Sequence, residues 1–92
     1  MAQHPLHPGD ILAKKLSELG MSAAELARAV HVPANRISQI ISGKRAITAD
    51  TALRLGKWFG TSPYVWLKMQ QMYELYHARK KIGSILENIS NK

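Results

Sequence analysis

Glycine and proline cut the first two thirds of this chain into short segments. Pro8, Gly9, Gly20, Pro33, Gly43, Gly60 and Pro63 stand between stretches whose apolar residues recur three and four positions apart. That spacing puts apolar side chains on one face of a helix, and glycine or proline at the boundaries suits helix ends rather than strands. The chain is therefore expected to be all-α. Ile11, Leu12, Leu16 and Leu19, closed by Gly20, predict a first helix over about 9–19. Ser22-Ala23-Ala24-Glu25 has the spacing of a capping box and opens a second helix over about 23–30, where Ala27 is small enough to admit a neighbour.

His31, Val32 and Pro33 form a tight turn. A third helix over about 33–42 follows, apolar at Ile37, Ile40 and Ile41 and polar at Asn35, Ser38 and Gln39. Lys44-Arg45-Ala46-Ile47 is a basic loop, and Thr48 with Asp50 starts a fourth helix carrying Leu53, Leu55, Trp58 and Phe59. Gly56 inside it costs about 1 kcal/mol relative to alanine, a loss that a close helix contact would offset. Ser62 and Pro63 then cap and begin a fifth helix.

With 92 residues, the chain suffices for one small domain, and an oligomer would add stability to so limited a core. Thirteen Lys and Arg against six Asp and Glu give a net charge of +7, concentrated after residue 20, which points to an acidic polymer as partner. The absence of cysteine removes disulfides, thiolate metal sites and thiol nucleophiles. Apolar runs are too short to cross a bilayer, and Met1 to Pro8 lacks the order of a signal peptide, so a cytoplasmic protein without membrane association is expected.

Two short helices joined by a tight turn, the second presenting amides and a hydroxyl outward, make a helix-turn-helix arrangement. Asn and Gln can donate and accept in one plane, matching the N6 and N7 edge of adenine. Arg28, Arg36, Lys44 and Arg45 flank this face and are candidates for gripping phosphate.

From Ser22 to Gly43 the string SAAELARAVHVPANRISQIISG resembles the lambda-repressor-like (Xre-type) helix-turn-helix, notably at Glu25-Leu26-Ala27, the Val30 to Val32 turn, Ile37-Ser38 and Ile40-x-x-Gly43. HPGDIL at 7–12, GKRAITADTALRLGKWFGTSP at 43–63, WL at 66–67, Tyr73 and Leu75 extend the resemblance to HigA-type antitoxins of toxin-antitoxin modules, over about residues 7–76. The resemblance implies a five-helix domain over 1–76 with a C-terminal extension over 77–92. It also implies a homodimer that binds a palindromic double-stranded operator, represses its own operon and neutralises a RelE-like messenger-cleaving toxin. Ala34, Asn35, Ser38 and Gln39 fall on the base-facing positions of that family, and Ser22 and Ala23 on the helix start that meets a phosphate. Ala34 replaces a larger polar residue common in the family and would meet a thymine methyl. Tyr64 and Lys68 stand where relatives often carry Glu and Asn, so no residue is assigned to the toxin interface.

On the fifth helix Val65, Trp66, Met69, Met72, Tyr73 and Tyr76 share one face, with Leu67 and Leu75 nearly opposite. One face is expected on helices one and four and the other on a second subunit. Leu75, Ala78, Ile82, Ile85 and Ile89 could prolong that seam, although Gly83 weakens a continuous helix.

The histidines His4, His7, His31 and His77 are scattered and lack cysteine or carboxylate companions, so no metal or cofactor is expected. His7 reads as structural within HPG, Arg79-Lys80-Lys81 as a solvated face, and Asp10, Glu25 and Asp50 as carboxylates offsetting helix dipoles. No nucleophile setting or glycine-rich phosphate loop is present, and an enzyme is not expected. Two alternatives remain at this stage: a solitary helix-turn-helix repressor without a toxin, and a toxin-binding module that does not read DNA.

Overall fold

The computed structural model describes residues 5–92. Among them lie five helices and no strand: α1 (Pro8–Leu19), α2 (Ala23–Ala29), α3 (Ala34–Ile41), α4 (Ala49–Phe59) and α5 (Pro63–Glu87). The all-α expectation holds, with differences at the ends that have local causes. α1 starts at Pro8 because His7 is the cap, its Nδ1 accepting from the Gly9 N–H at 2.9 Å. It stops where Gly20 takes a left-handed φ of 65°. The expected capping box is present: Ser22 Oγ accepts from the Glu25 N–H at 3.1 Å, and Glu25 Oε1 accepts from the Ser22 N–H at 3.0 Å. Such a cap contributes about 1 kcal/mol.

The two helices of the central pair are shorter than the sequence suggested. His31 adopts φ 62°, a left-handed conformation uncommon for a residue with a Cβ, and this ends α2 at Ala29. Pro33, extended at ψ 147°, becomes the cap of α3 instead of its first residue. Arg54 secures the turn from α4, its Nη1 donating to the carbonyls of Val30 at 2.8 Å and His31 at 3.0 Å.

Burial explains the arrangement. Leu12 and Leu16 of α1, Leu26 and Ala27 of α2, Ile37 and Ile40 of α3, Leu55 of α4 and Trp66 of α5 form one core. Each large side chain so buried contributes about 1.5–3 kcal/mol relative to exposure. α2 packs on α3, α1 lies against α3 and α5, and α4 lies along α5. The α1–α3 contact depends on Gly9: a Cβ there would stand 1.9 Å from the Ile40 carbonyl oxygen, so no larger residue fits without displacing backbone. The same HPG turn reaches α5, where the His7 ring meets Tyr73 edge-on at 4.8 Å. Gly56 also marks a close approach, but to the turn before α5 rather than to a helix, with a Cβ meeting the Thr61 oxygen at 2.9 Å.

α5 departs most from expectation. It passes unbroken through Gly83, and its inward stripe is Trp66, Met69, Gln70 and Tyr73. Val65 and Met72, which the spacing puts on one face with Trp66, Met69 and Tyr73, are about half exposed at 49% and 50%, whereas Gln70 is 5% exposed. Leu67, expected opposite, packs against the core. From His77 onward every side chain is exposed apart from the half-buried Gly83 position.

The two glycines at opposite ends of the chain respond oppositely to alanine. Gly9→Ala should lower stability by about 3 kcal/mol through overpacking against Ile40. Gly83→Ala has open space around it and should raise stability by about 0.5–1 kcal/mol. Urea unfolding of both variants checks the pair.

Candidate nucleic-acid interface

α3 turns Ile37 and Ile40 inward, and the helical repeat then leaves Ala34, Asn35 and Ser38 exposed and Gln39 partly exposed. These four sequence-predicted positions therefore share the outer face of one helix. The Ser38 hydroxyl donates to the Asn35 carbonyl at 3.3 Å, which leaves its oxygen as an outward acceptor. Gln39 Oε1 accepts from Arg45 Nε at 2.9 Å. That bond engages one of the two acceptor sites on the Gln39 oxygen and leaves its NH₂ end to donate outward. Among the described residues nothing bonds the Asn35 carboxamide, which keeps both functions.

The loop after α3 carries the cations nearest this face. It is held at its start by the Gly43 N–H donating to Ile40 O at 3.0 Å and the Lys44 N–H donating to Gln39 O at 2.8 Å. Lys44 and Arg45 are exposed along it. The structure thus brings Gln39, Lys44 and Arg45 into one cluster. Ser22 and Ala23 sit at the start of α2 and Arg28 in its last turn, on a separate element. The Ser22 amide is already taken by the Glu25 carboxylate.

Arg36 is engaged on its α4 side. Its Nη1 donates to Asp50 Oδ1 at 2.8 Å, and the same oxygen accepts from Arg54 Nε at 2.7 Å. Asp50 is a hub between α3 and α4, a role that its reading as a dipole partner missed. The four-residue step from Asp50 to Arg54 was the available signal. The hydrogen bond from Arg54 holds the Asp50 carboxyl below its ordinary value of 3.8, with charge attraction to Arg54 and the bond and charge of Arg36 adding to it. Glu25 is likewise lowered, chiefly by its bond to the Ser22 backbone.

Among the described residues, no group of three or more His, Asp or Glu stands together to hold a metal ion. His7 caps α1, His77 lies 4.4 Å from the Tyr73 ring, and His31 forms the turn, while His4 lies outside the described residues. No described helix is long and apolar enough to cross a membrane.

Residues 12–66 match the Helix-turn-helix family. A solved addiction module antidote protein of a HigA family from Coxiella burnetii is 47% identical with a TM-score of 0.93, the match covering 98% of this chain and 99% of that one. The Pseudomonas aeruginosa antitoxin HigA, solved with the higBA promoter, is 39% identical with a TM-score of 0.90, over 96% of this chain and 97% of that one. Virulence-associated protein I of Dichelobacter nodosus is 47% identical over 81 residues, 87% of this chain and 75% of its own length.

The Asp50 hub yields a pH dependence. A carboxyl lowered on folding stabilises the fold above its unfolded value, and that contribution is lost as pH falls through the lower folded value. The stability difference between the parent chain and Asp50→Asn should accordingly be constant near neutrality and shrink as pH drops below 3.8. Urea midpoints measured down the pH scale test this, and a difference that grows on acidification would contradict it.

Proposed function

The chain belongs to the Helix-turn-helix family and, within it, to the HigA-type antitoxins, and on that premise we propose that it represses its own operon by sequence-specific DNA binding and neutralises a RelE-like, messenger-cleaving toxin. The observation that carries the DNA half is the polar outer face of α3 beside the Lys44-Arg45 loop, bonded to it through Gln39. In this reading Asn35 reads a base edge in the major groove, Gln39 donates to a base acceptor, Ser38 accepts, and Ala34 rests on a thymine methyl. Lys44 and Arg45 grip phosphate, with Arg28 and the Ser22-Ala23 helix start on the neighbouring backbone, and Arg36 serves chiefly to brace α3.

The working unit proposed is a homodimer in the cytoplasm. Its support is the stripe of exposed Leu75, Ile82, Ile85 and Leu86 on α5, continued by Ile89, an apolar surface of the kind that proteins cover. Residues 77–92 form the extension that supplies much of this seam. Two α3 helices about 34 Å apart then read an inverted repeat in successive major grooves of a palindromic operator. The toxin half rests on the antitoxin character of the relatives.

Binding to a duplex from upstream of its own gene should fall ~10³- to 10⁵-fold between about 50 and 200 mM salt, as for six to ten phosphate contacts. Asn35→Ala with Gln39→Ala should cost at least about tenfold in affinity while circular dichroism stays native. Little salt dependence, or unchanged binding by the double variant, would count against the DNA reader. For the toxin half, growth arrest caused by the neighbouring small reading frame should be relieved on co-expression of this chain. A harmless neighbour would leave a solitary repressor.

A further inference from the structure

Gln70 is the one buried polar residue of α5. Its Oε1 accepts from the Ile47 N–H at 2.9 Å, a bond spanning 23 positions of chain. Its Nε2 donates to Glu74 Oε1 at 3.2 Å, one turn further along α5. An N–H can only donate, so Ile47 fixes which end of the carboxamide faces it, and Glu74 suits the other end.

Ile47 belongs to the loop between α3 and α4, and its side chain is 3% exposed in the core. Its amide is therefore withdrawn from water, and a buried amide without an acceptor costs about 1–3 kcal/mol. The loop is pinned at one end to α3 through the bonds to Ile40 and Gln39, and at the other by Ile47 and Gln70. Lys44 and Arg45 are carried on the span between these two anchors. Without that bond the far end of the span would still be held by the buried Ile47 side chain and the start of α4, but its backbone would lose its hydrogen-bonded anchor, and Arg45 would hold Gln39 from a looser base.

We propose that Gln70 is a positioning residue for DNA binding: from α5 it fixes the loop that presents Lys44 and Arg45 to phosphate and orients Gln39 on α3. This rests on the DNA reading given above. It touches no nucleic acid itself, and its action runs wholly through the Ile47 amide.

Three variants of the full chain test it against a duplex from upstream of its own gene. Gln70→Met keeps length and volume but offers Ile47 no acceptor. It should bind the duplex at least five- to tenfold more weakly, flatten the salt slope by about one unit, and speed hydrogen exchange at the Ile47 amide, with a native circular dichroism spectrum. Gln70→Glu combined with Glu74→Gln exchanges donor and acceptor while keeping the bond to Ile47, and should restore binding to within about threefold of the parent. In a background of Lys44→Ala with Arg45→Ala, Gln70→Met should weaken binding by less than twofold, because residues acting through one another are not additive.

Equal duplex affinity and salt slope for the parent and Gln70→Met would overturn the proposal while leaving the DNA reading intact. So would a full, additive loss in the Lys44→Ala, Arg45→Ala background, or no recovery in a well-folded exchange variant. If the parent chain itself showed no salt-dependent duplex binding, the DNA reading would fail first and this role with it.

Discussion

An eight-residue helix is too short to hold its shape in water, since the cost of nucleating a turn is recovered only over longer stretches. α3 is such a helix, and the structure depends on how it is held. Ile37 and Ile40 anchor its inner face in the core. At Gly9, α1 comes so near the Ile40 carbonyl that the two helices touch backbone to side-chain-free backbone. On the flank, Arg36 bonds to Asp50, which shares its oxygen with Arg54, and Arg54 in turn grips the two carbonyls of the turn before α3. With hydrophobic, steric and charged restraints on three sides, the polar outer face is left with few ways to move.

The same bonds divide the basic residues into two groups. Arg36 and Arg54 share the single carboxylate of Asp50, and Arg54 also bonds the turn carbonyls, so both guanidiniums are committed in part to contacts within the protein. Arg45 is shared with Gln39, and Lys44 and Arg28 remain exposed. A high net charge thus overstates how many cations face a partner, and position along the chain does not tell which. α5 shows a similar division along its length. Its first three turns complete the core through Trp66 and reach the basic loop through Gln70, whereas its last three stand clear of the domain with an apolar stripe exposed. In the proposed dimer that second half joins two copies.

What the sequence disclosed well is what local chemistry decides. The Ser22-Glu25 box, the Gly20 stop and the Thr48 and Ser62 caps each involve residues within a few positions, and each formed as the spacing indicated. The outward positions of α3 followed from the burial of Ile37 and Ile40, which the three-residue step made visible. What it concealed depends on distant chain. Polarity gave no hint that Gln70 would be buried, because its reason is an amide 23 positions away. Val65 and Met72 are apolar and share a face with Trp66 by spacing, yet they are half exposed, while Gln70 and Tyr73 lie on the inward stripe. Arg36 looked like a free cation until Asp50, 14 residues on, was brought against it. The HPG motif suggested a structural histidine, but its tightest demand, a missing Cβ at Gly9, shows only when α1 lies on α3.

In the proposed function the outer face of α3 and the loop beside it meet DNA. Nuclear magnetic resonance of the isotope-labelled chain during titration with a duplex from upstream of its own gene tests it most directly. The largest shifts should fall on the side-chain amides of Asn35 and Gln39 and on the backbone of Lys44 and Arg45, with residues 82–92 little affected. Shifts confined to α5, or to α4 around Leu53 and Trp58, with α3 silent, would contradict it.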